Sequence, residues 1–345
     1  MTNSVPFGQW EKRWHPLRRE WVVYAAHRNN RPWNFDKQES VIDAPAYDPT
    51  CYLCPGNLRV SGKRNPDPYE VFIFENDHPV VGPNAPEIPA EHLSIHDGLY
   101  KRDRAKGVAK VVCYDPRHNV TLNEVSVEQV AKVFKALQNE MKEFETNPDI
   151  KSVLIFENKG ELVGVSNPHP HCQIYATDFE FILMAEERDA AIEYQAAKGR
   201  NLFADIIAAE QKDDLRIIAE NKNAIAFIPF FARYAYETYV FPKRKHATII
   251  TMTDEELYDL AETFQTVTRK FDANFNSSFP YVLVFSQAPV DGGTYEDFHM
   301  HLILCPPLRQ PGLQKFLGGP ERGADTFMAD TMPEEKAAEL RKIKL

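Results

Sequence analysis

Two histidine runs, Pro168-His169-Pro170-His171 and Phe298-His299-Met300-His301, constrain this chain more than any other feature, because each closes the same succession of patterns. Ahead of the first lie an apolar run from Val71 to Phe74, a second at Val111-Val112-Cys113-Tyr114, and a turn bearing His118. A helical period follows on Val130, Phe134, Leu137, Met141 and Phe144, with Ser126 and Gln129 spaced as a capping box. A strand, Val153-Leu154-Ile155-Phe156, then leads through a glycine-containing loop to the histidines. The second copy runs from Ala224 to Ile228, then Thr238 to Phe241, then through a basic turn with His246. Its helix lies on Leu257, Leu260, Phe264, Val267 and Phe271, capped by Thr253 and Glu256, and its last strand before the histidines is Tyr281 to Phe285. The repeated order predicts an α+β chain of two halves, 1–180 and 181–345, that share one mainly antiparallel sheet flanked by helices. Between the halves, Glu186 to Glu210 reads as a helical connector, Asp36 to Pro68 is loop-rich, and the segment from Met332 reads as a short polar surface helix.

With 345 residues, 43% of them hydrophobic, the chain is long enough to bury a large core. It shows neither a leader-like start nor an apolar stretch of membrane-spanning length, which makes the cytoplasm the expected compartment and membrane attachment unexpected. A formal charge of -10 argues against a protein that coats nucleic acid, since that task needs basic surface. Local basic groups such as Arg28, Arg31 and Lys315 read either as solvated charge or as holders of a small anion. Five cysteines are too few, and odd in number, for a disulfide framework, so a closely spaced pair is a metal candidate.

Imidazoles at i and i+2 of an extended segment share one side, and Pro170 stiffens the first pair. An imidazole held in one tautomer can attack phosphorus and carry a covalent intermediate, and the Ser-Asn-Pro-His-Pro-His-x-Gln context favours that reading over a structural histidine. In Cys51-Tyr52-Leu53-Cys54 the spacing suits two thiolates on one tetrahedral zinc, with His118 and His169 as the natural remaining ligands. The rival readings are a redox dithiol, which would want a thioredoxin-like context absent here, and two unrelated buried cysteines. His299 and His301 could hold another metal with a carboxylate such as Glu187, or could be a relic of the repeat that fills space. No Walker-type loop, dinucleotide-binding glycine fingerprint or Gly-x-Ser-x-Gly elbow occurs.

The runs Phe156-Glu157-Asn158-Lys159-Gly160 and Ser166-Asn167-Pro168-His169-Pro170-His171-Cys172-Gln173, together with Asn76-Asp77 and Arg28 with Arg31-Pro32-Trp33, carry a resemblance to a known family. From Trp14-His15-Pro16-Leu17 to Lys315-Phe316, the chain resembles the galactose-1-phosphate uridylyltransferases, a duplicated branch of the histidine triad superfamily. The resemblance implies a ping-pong reaction in which His171 takes UMP from a UDP-hexose and passes it to a second hexose 1-phosphate. It assigns Gln173 and Ser166 to the phosphoryl group, Arg28, Arg31 and Lys315 to positive charge, Asn76, Asp77 and Asn158 to the uridine, and Phe74 and Phe156 to the walls of the base. Gly164, Phe316, Gly318, Gly319 and Glu321 also match substrate-binding positions. Cys51, Cys54, His118 and His169 match a zinc site that supports the nucleophile's loop. Glu187, His299 and His301 match a second site for iron or zinc, whose remaining histidine is Ser286 here. Phe327 stands where the family has a glutamine near the sugar, and Pro320 replaces an aromatic, so the hexose stays open. A homodimer that shares C-terminal residues between active sites is also implied. The competing functions are an ADP-sugar phosphorylase or adenylyltransferase, a nucleotide-sugar hydrolase on the same scaffold, and a zinc-stabilised nucleotide-binding protein.

Overall fold

The computed structural model describes residues 10–26 and 44–345. Its strands in chain order are β1 (Trp10–His15), β2 (Glu20–Ala25), β3 (Phe72–Glu75), β4 (Ser94–Ile95), β5 (Tyr100–Lys101), β6 (Gly107–Cys113), β7 (Ser152–Lys159) and β8 (His171–Thr177). The second half adds β9 (Ile217–Glu220), β10 (Ala224–Phe227), β11 (Thr238–Pro242), β12 (Tyr281–Ser286), β13 (His301–Cys305), β14 (Leu308–Gln310), β15 (Leu313–Gln314) and β16 (Met328–Ala329). The helices are α1 (Val127–Glu145), α2 (Ile182–Lys198), α3 (Leu202–Asp213), α4 (Asp254–Phe275) and α5 (Pro333–Arg341). None of the described helices is long and apolar enough to cross a membrane.

Among the described residues, nine strands form one antiparallel sheet in the order β3-β6-β8-β7-β12-β13-β11-β10-β9. The pairing of β7 with β12, Phe156 opposite Val284, is the seam at which the repeats meet. Alternation along the strands separates two faces. One face, including Val153, Ile155, Ile174, Leu283, Phe285 and Leu302, is buried under α1 and α4. Phe134 of α1 packs edge-on to Phe285 and tilts against Phe264 of α4, with centroids 5.4 and 6.0 Å apart. Two glutamines tie these helices across the repeat. Gln138 of α1 donates to the carbonyls of Ile249 and Met252 at 2.9 and 2.8 Å, ahead of α4, and Gln265 of α4 donates to those of Leu122 and Val125 at 2.9 and 2.8 Å, ahead of α1.

The opposite face is covered unevenly. Over the second half, α2 and α3 bury Ile225, Phe227, Tyr239, Phe241 and Ile303 beneath Ala190, Phe203 and Ile206. The connector is therefore two helices rather than one, because Gly199 ends α2 in a left-handed conformation (φ 67°) and Asn201 caps α3 by accepting from the Ala204 N–H. Over the first half, no such pair among the described residues covers the face, and a register row of Phe74, Val111, Gln173 and Phe156 forms its floor.

Two sequence expectations change. Thr253 and Glu256 form a reciprocal capping box on α4, but at α1 only Ser126 caps, because the Gln129 side chain donates instead to the carbonyls of Glu70 and Tyr114. The last helix is not a free surface element. α5 buries Ala337 and Leu340, and its Glu334 accepts from the buried Arg13 and Arg216 at 2.9 Å each. Its polar sequence conceals this, since the carboxylate serves two inward cations.

Candidate active site and metal centre

Each strand of the histidine runs begins at its second histidine, so His171 opens β8 while His169 lies in the preceding loop. His171 Nδ1 is 2.8 Å from the carbonyl oxygen of His169. A carbonyl only accepts, so Nδ1 carries the hydrogen and Nε2 keeps its lone pair. Burial lowers the His171 pKa below the ordinary imidazole value, against the opposing pull of the His169 carbonyl, which keeps the ring neutral and nucleophilic at neutral pH. Its cleft, holding about 30 Å³ of water-sized space, is lined by Phe156, Asn158, Gly164, Ser166, His171 and Gln173 among others. The Tyr175 hydroxyl donates to Gln173 Oε1 at 3.2 Å, which directs the amide N–H groups of Gln173 to serve as donors. The loop leaving β7 turns tightly at Gly160 (φ 95°), where a Cβ would come within 2.9 Å of Pro280 Cβ.

Beside this cleft, Cys51, Cys54, His118 and His169 bring one donor atom each within 4.8 Å of one another, and all four residues are buried. Cys54 Sγ lies 3.7 Å from His118 Nδ1 and 3.6 Å from His169 Nδ1. Tyr69 sets the His169 tautomer. Its hydroxyl donates to the Leu53 carbonyl at 2.9 Å, so at its 2.7 Å contact with His169 Nε2 it must accept. Nε2 therefore carries the hydrogen, and the bare Nδ1 faces the thiols as a metal ligand requires. Burial lowers the His169 pKa to about 3, so the ring stays neutral, and raises the Cys54 thiol to about 11. Two soft sulfurs and two neutral imidazoles in a buried set fit a structural metal such as zinc. Asn167 braces the cluster by donating to Cys51 Sγ at 3.5 Å and by accepting from the His169 N–H at 2.9 Å.

The remaining expected residues separate into groups. Phe74 stands in the floor row, and the guanidinium of Arg59 lies 4.1 Å over its ring. Arg59 also reaches Asp77 at 3.4 Å, while Asn76 Oδ1 accepts from the His78 N–H at 2.9 Å. A hollow of about 480 Å³ opens beside Asn76 under the loop that includes Pro79 and Pro86. Arg28 and Arg31 lie outside the described residues. Lys315 pairs with Glu321 at 2.8 Å and Asp330 at 3.5 Å, next to the Phe327 ring. Neither Lys315, Phe316, Gly318, Gly319 nor Glu321 lines the His171 cleft. Phe327 itself is buried with Val22, Tyr24 and Ala329 against the N-terminal hairpin, with the Arg233 guanidinium as well as Lys315 over its ring.

In the second histidine pair, His301 repeats the His171 geometry, with Nδ1 3.0 Å from the His299 carbonyl oxygen. Its Nε2 faces Glu187 Oε1 at 3.6 Å, and the Ser286 hydroxyl donates to Glu187 Oε2. His299 does not face that carboxylate with Nε2, which donates to the Pro242 carbonyl at 2.8 Å.

Sequence reasoning gave no role to Arg59, Tyr69, Tyr114 or Glu157. Glu157 points to the face opposite Phe156 and is buried where the Tyr114 and Tyr281 hydroxyls donate to its two oxygens. Tyr114 in turn donates its N–H to the Pro170 carbonyl at 3.3 Å, linking this pocket to the His-Pro-His loop. Period-two alternation could have found Glu157, since Phe156 and Asn158 face the cleft and the residue between them must face inward.

Family models for the galactose-1-phosphate uridyl transferase N-terminal and C-terminal domains match residues 7–180 and 187–345. A galactose-1-phosphate uridylyltransferase from Haemophilus influenzae is 35% identical over 335 residues, covering 96% of this chain and 94% of that protein. A solved uridylyltransferase structure superposes with a TM-score of 0.77 at 30% identity, covering 96% of this chain and 97% of its own. An ADP-glucose phosphorylase from Arabidopsis thaliana, solved with ADP-glucose, superposes with a TM-score of 0.79 at 21% identity over 98% of this chain and all of its own, a likeness of fold.

Proposed function

This chain belongs to the galactose-1-phosphate uridyl transferase family, and on that premise we propose that it moves UMP from a UDP-hexose to a hexose 1-phosphate with His171 as the nucleophile. The observation that carries the assignment of His171 is its tautomer: Nδ1 is committed to the His169 carbonyl, leaving the Nε2 lone pair for attack. In the first step, Nε2 forms a bond to the α-phosphorus and the bond from that phosphorus to the bridging oxygen breaks. The hexose 1-phosphate leaves with the electron pair. In the second, an oxygen of the incoming hexose 1-phosphate attacks the same phosphorus, the P–N bond breaks, and the neutral imidazole is restored. The amide of Gln173 and the hydroxyl of Ser166 donate to the non-bridging oxygens as charge shifts during both displacements. Phe156 and Phe74 flank the base, with Asn158, Asn76 and Asp77 as its polar contacts.

Zinc is the metal we assign to Cys51, Cys54, His118 and His169, where it supplies a rigid anchor rather than a reacting centre. Through His169 that anchor fixes the carbonyl to which His171 donates. The separation of the Lys315–Glu321 cluster from the His171 cleft supports a homodimer in which the C-terminal segment of a second copy completes the sugar-phosphate side. A cytoplasmic location is part of the same reading.

The test is a mass measurement without acceptor. Protein incubated with UDP-glucose should gain the mass of UMP on the peptide containing His171, and galactose 1-phosphate or another hexose 1-phosphate should remove it. An adduct from ADP-glucose alone would replace the uridylyl reading by an adenylyl one. Binding of both donors with neither adduct nor released sugar phosphate would refute covalent transfer.

A further inference from the structure

We propose that the chain binds a single metal ion, and that Glu187, Ser286 and His301 form a metal-free clamp closing α2 onto the second half of the sheet. The argument counts donors. Metal sites built from nitrogen and oxygen donors hold zinc or iron through three or four protein ligands. Around Glu187 the structure presents fewer. Glu187 Oε2 is occupied by the Ser286 hydroxyl, and a neutral alcohol is a poor substitute for an imidazole as a ligand. His299 commits its protonated Nε2 to the Pro242 carbonyl, and neither of its ring nitrogens joins Glu187 and His301 in a group of three donors within reach of one ion. Only Glu187 Oε1 and His301 Nε2 remain facing each other, at 3.6 Å. Among the described residues, the cysteine-containing cluster is the one group of three or more such donors drawn together.

The same contacts show what the group does instead. Glu187 comes from α2, Ser286 from β12 and His301 from β13, so the cluster joins the connector to two neighbouring strands. All three side chains are fully buried. The His301 ring is stacked on Phe241 with centroids 4.5 Å apart and on Tyr239 at 5.2 Å, and Phe203 of α3 leans on it at 5.7 Å. The Ser286 hydroxyl holds the Glu187 carboxylate, with His301 Nε2 standing 3.6 Å from its other oxygen, and so fastens the connector at a position equivalent to that of the nucleophile in the other half.

Full-length protein loaded with excess zinc, and separately with ferrous iron under argon, is desalted over a chelating resin, and metal per chain is counted by plasma mass spectrometry. The wild-type chain and Glu187→Gln should each hold one equivalent, and Cys54→Ser should lose it. Ser286→His, which restores a third strong donor, should hold a second equivalent. Two equivalents in the wild type, one of them lost in Glu187→Gln, would overturn the proposal, and so would a Ser286→His chain that stays at one. If Cys54→Ser fails to fold, the comparison of the wild type with Ser286→His still decides. Neither count depends on turnover, so the result stands apart from uridylyl transfer.

Discussion

Replacing Glu157 by glutamine should stabilise the protein at alkaline pH relative to acid, although it removes a carboxylate from two tyrosine hydrogen bonds. Burial is the first cause acting on this group, raising its pKa from the ordinary 4.5 to about 7, with the Tyr114 hydroxyl, Lys159 and the Tyr281 hydroxyl pulling it partly back. The folded state therefore holds the proton over a range in which the unfolded chain has released it. Stability from this group is present below the unfolded pKa and is lost as pH rises through the folded one. Across the whole window the loss is about 3 kcal/mol, most of it between pH 5 and pH 8. Glutamine carries no charge to bury, and its fixed cost, an amide N–H₂ facing two hydroxyls, does not vary with pH. The difference in unfolding free energy between Glu157→Gln and wild type should thus move in the variant's favour by about 2 to 3 kcal/mol from pH 5 to pH 8. Urea unfolding at each pH, with slopes compared to verify equal exposed surface, measures it. A difference that stays constant across that interval would refute the assignment of a buried, raised carboxyl.

Gln138→Leu should cost about 1–3 kcal/mol by leaving the Ile249 and Met252 carbonyls without their buried donor, read as a lower urea midpoint. Gln173→Ala should lower kcat by about 10²–10³-fold with a smaller effect on KM, since its donors act on charge that develops in the transition state. A KM effect alone would reduce Gln173 to a binding contact.

Much of the architecture was legible because both repeats write their helices with unbroken apolar stripes, as Val130 to Phe144 and Leu257 to Phe271 do, and because identical histidine spacing aligned one half on the other. The metal cluster was legible for the same reason of spacing, although the braces that make it competent, Tyr69 and Asn167, are not. Tyr69 is an ordinary buried aromatic until the Leu53 carbonyl fixes the direction of its hydroxyl. Arg59 over Phe74 depends on a loop folding back across an edge strand, and no local pattern announces that. The docking of α5 was hidden because its anchor, Glu334, is polar and its cation partners, Arg13 and Arg216, are distant in sequence.

The uneven cover supplied by α2 and α3 divides the duplicated sheet into a working surface and a load-bearing one. Gln173 follows His171 by two positions and faces an open cleft, while Ile303 follows His301 by two and lies sealed beneath the connector. On the proposed transfer, matching positions of the repeat are therefore held to different standards: one by what a phosphoryl group needs, the other by volume and shape alone. Saturation mutagenesis scored for folding and for turnover separately would divide along that line. Ile303 would accept apolar neighbours of similar size in both scores, and Gln173 would accept many residues in the first and few in the second. The two matching faces thereby follow different substitution rules, and the helical connector is the element that draws the boundary.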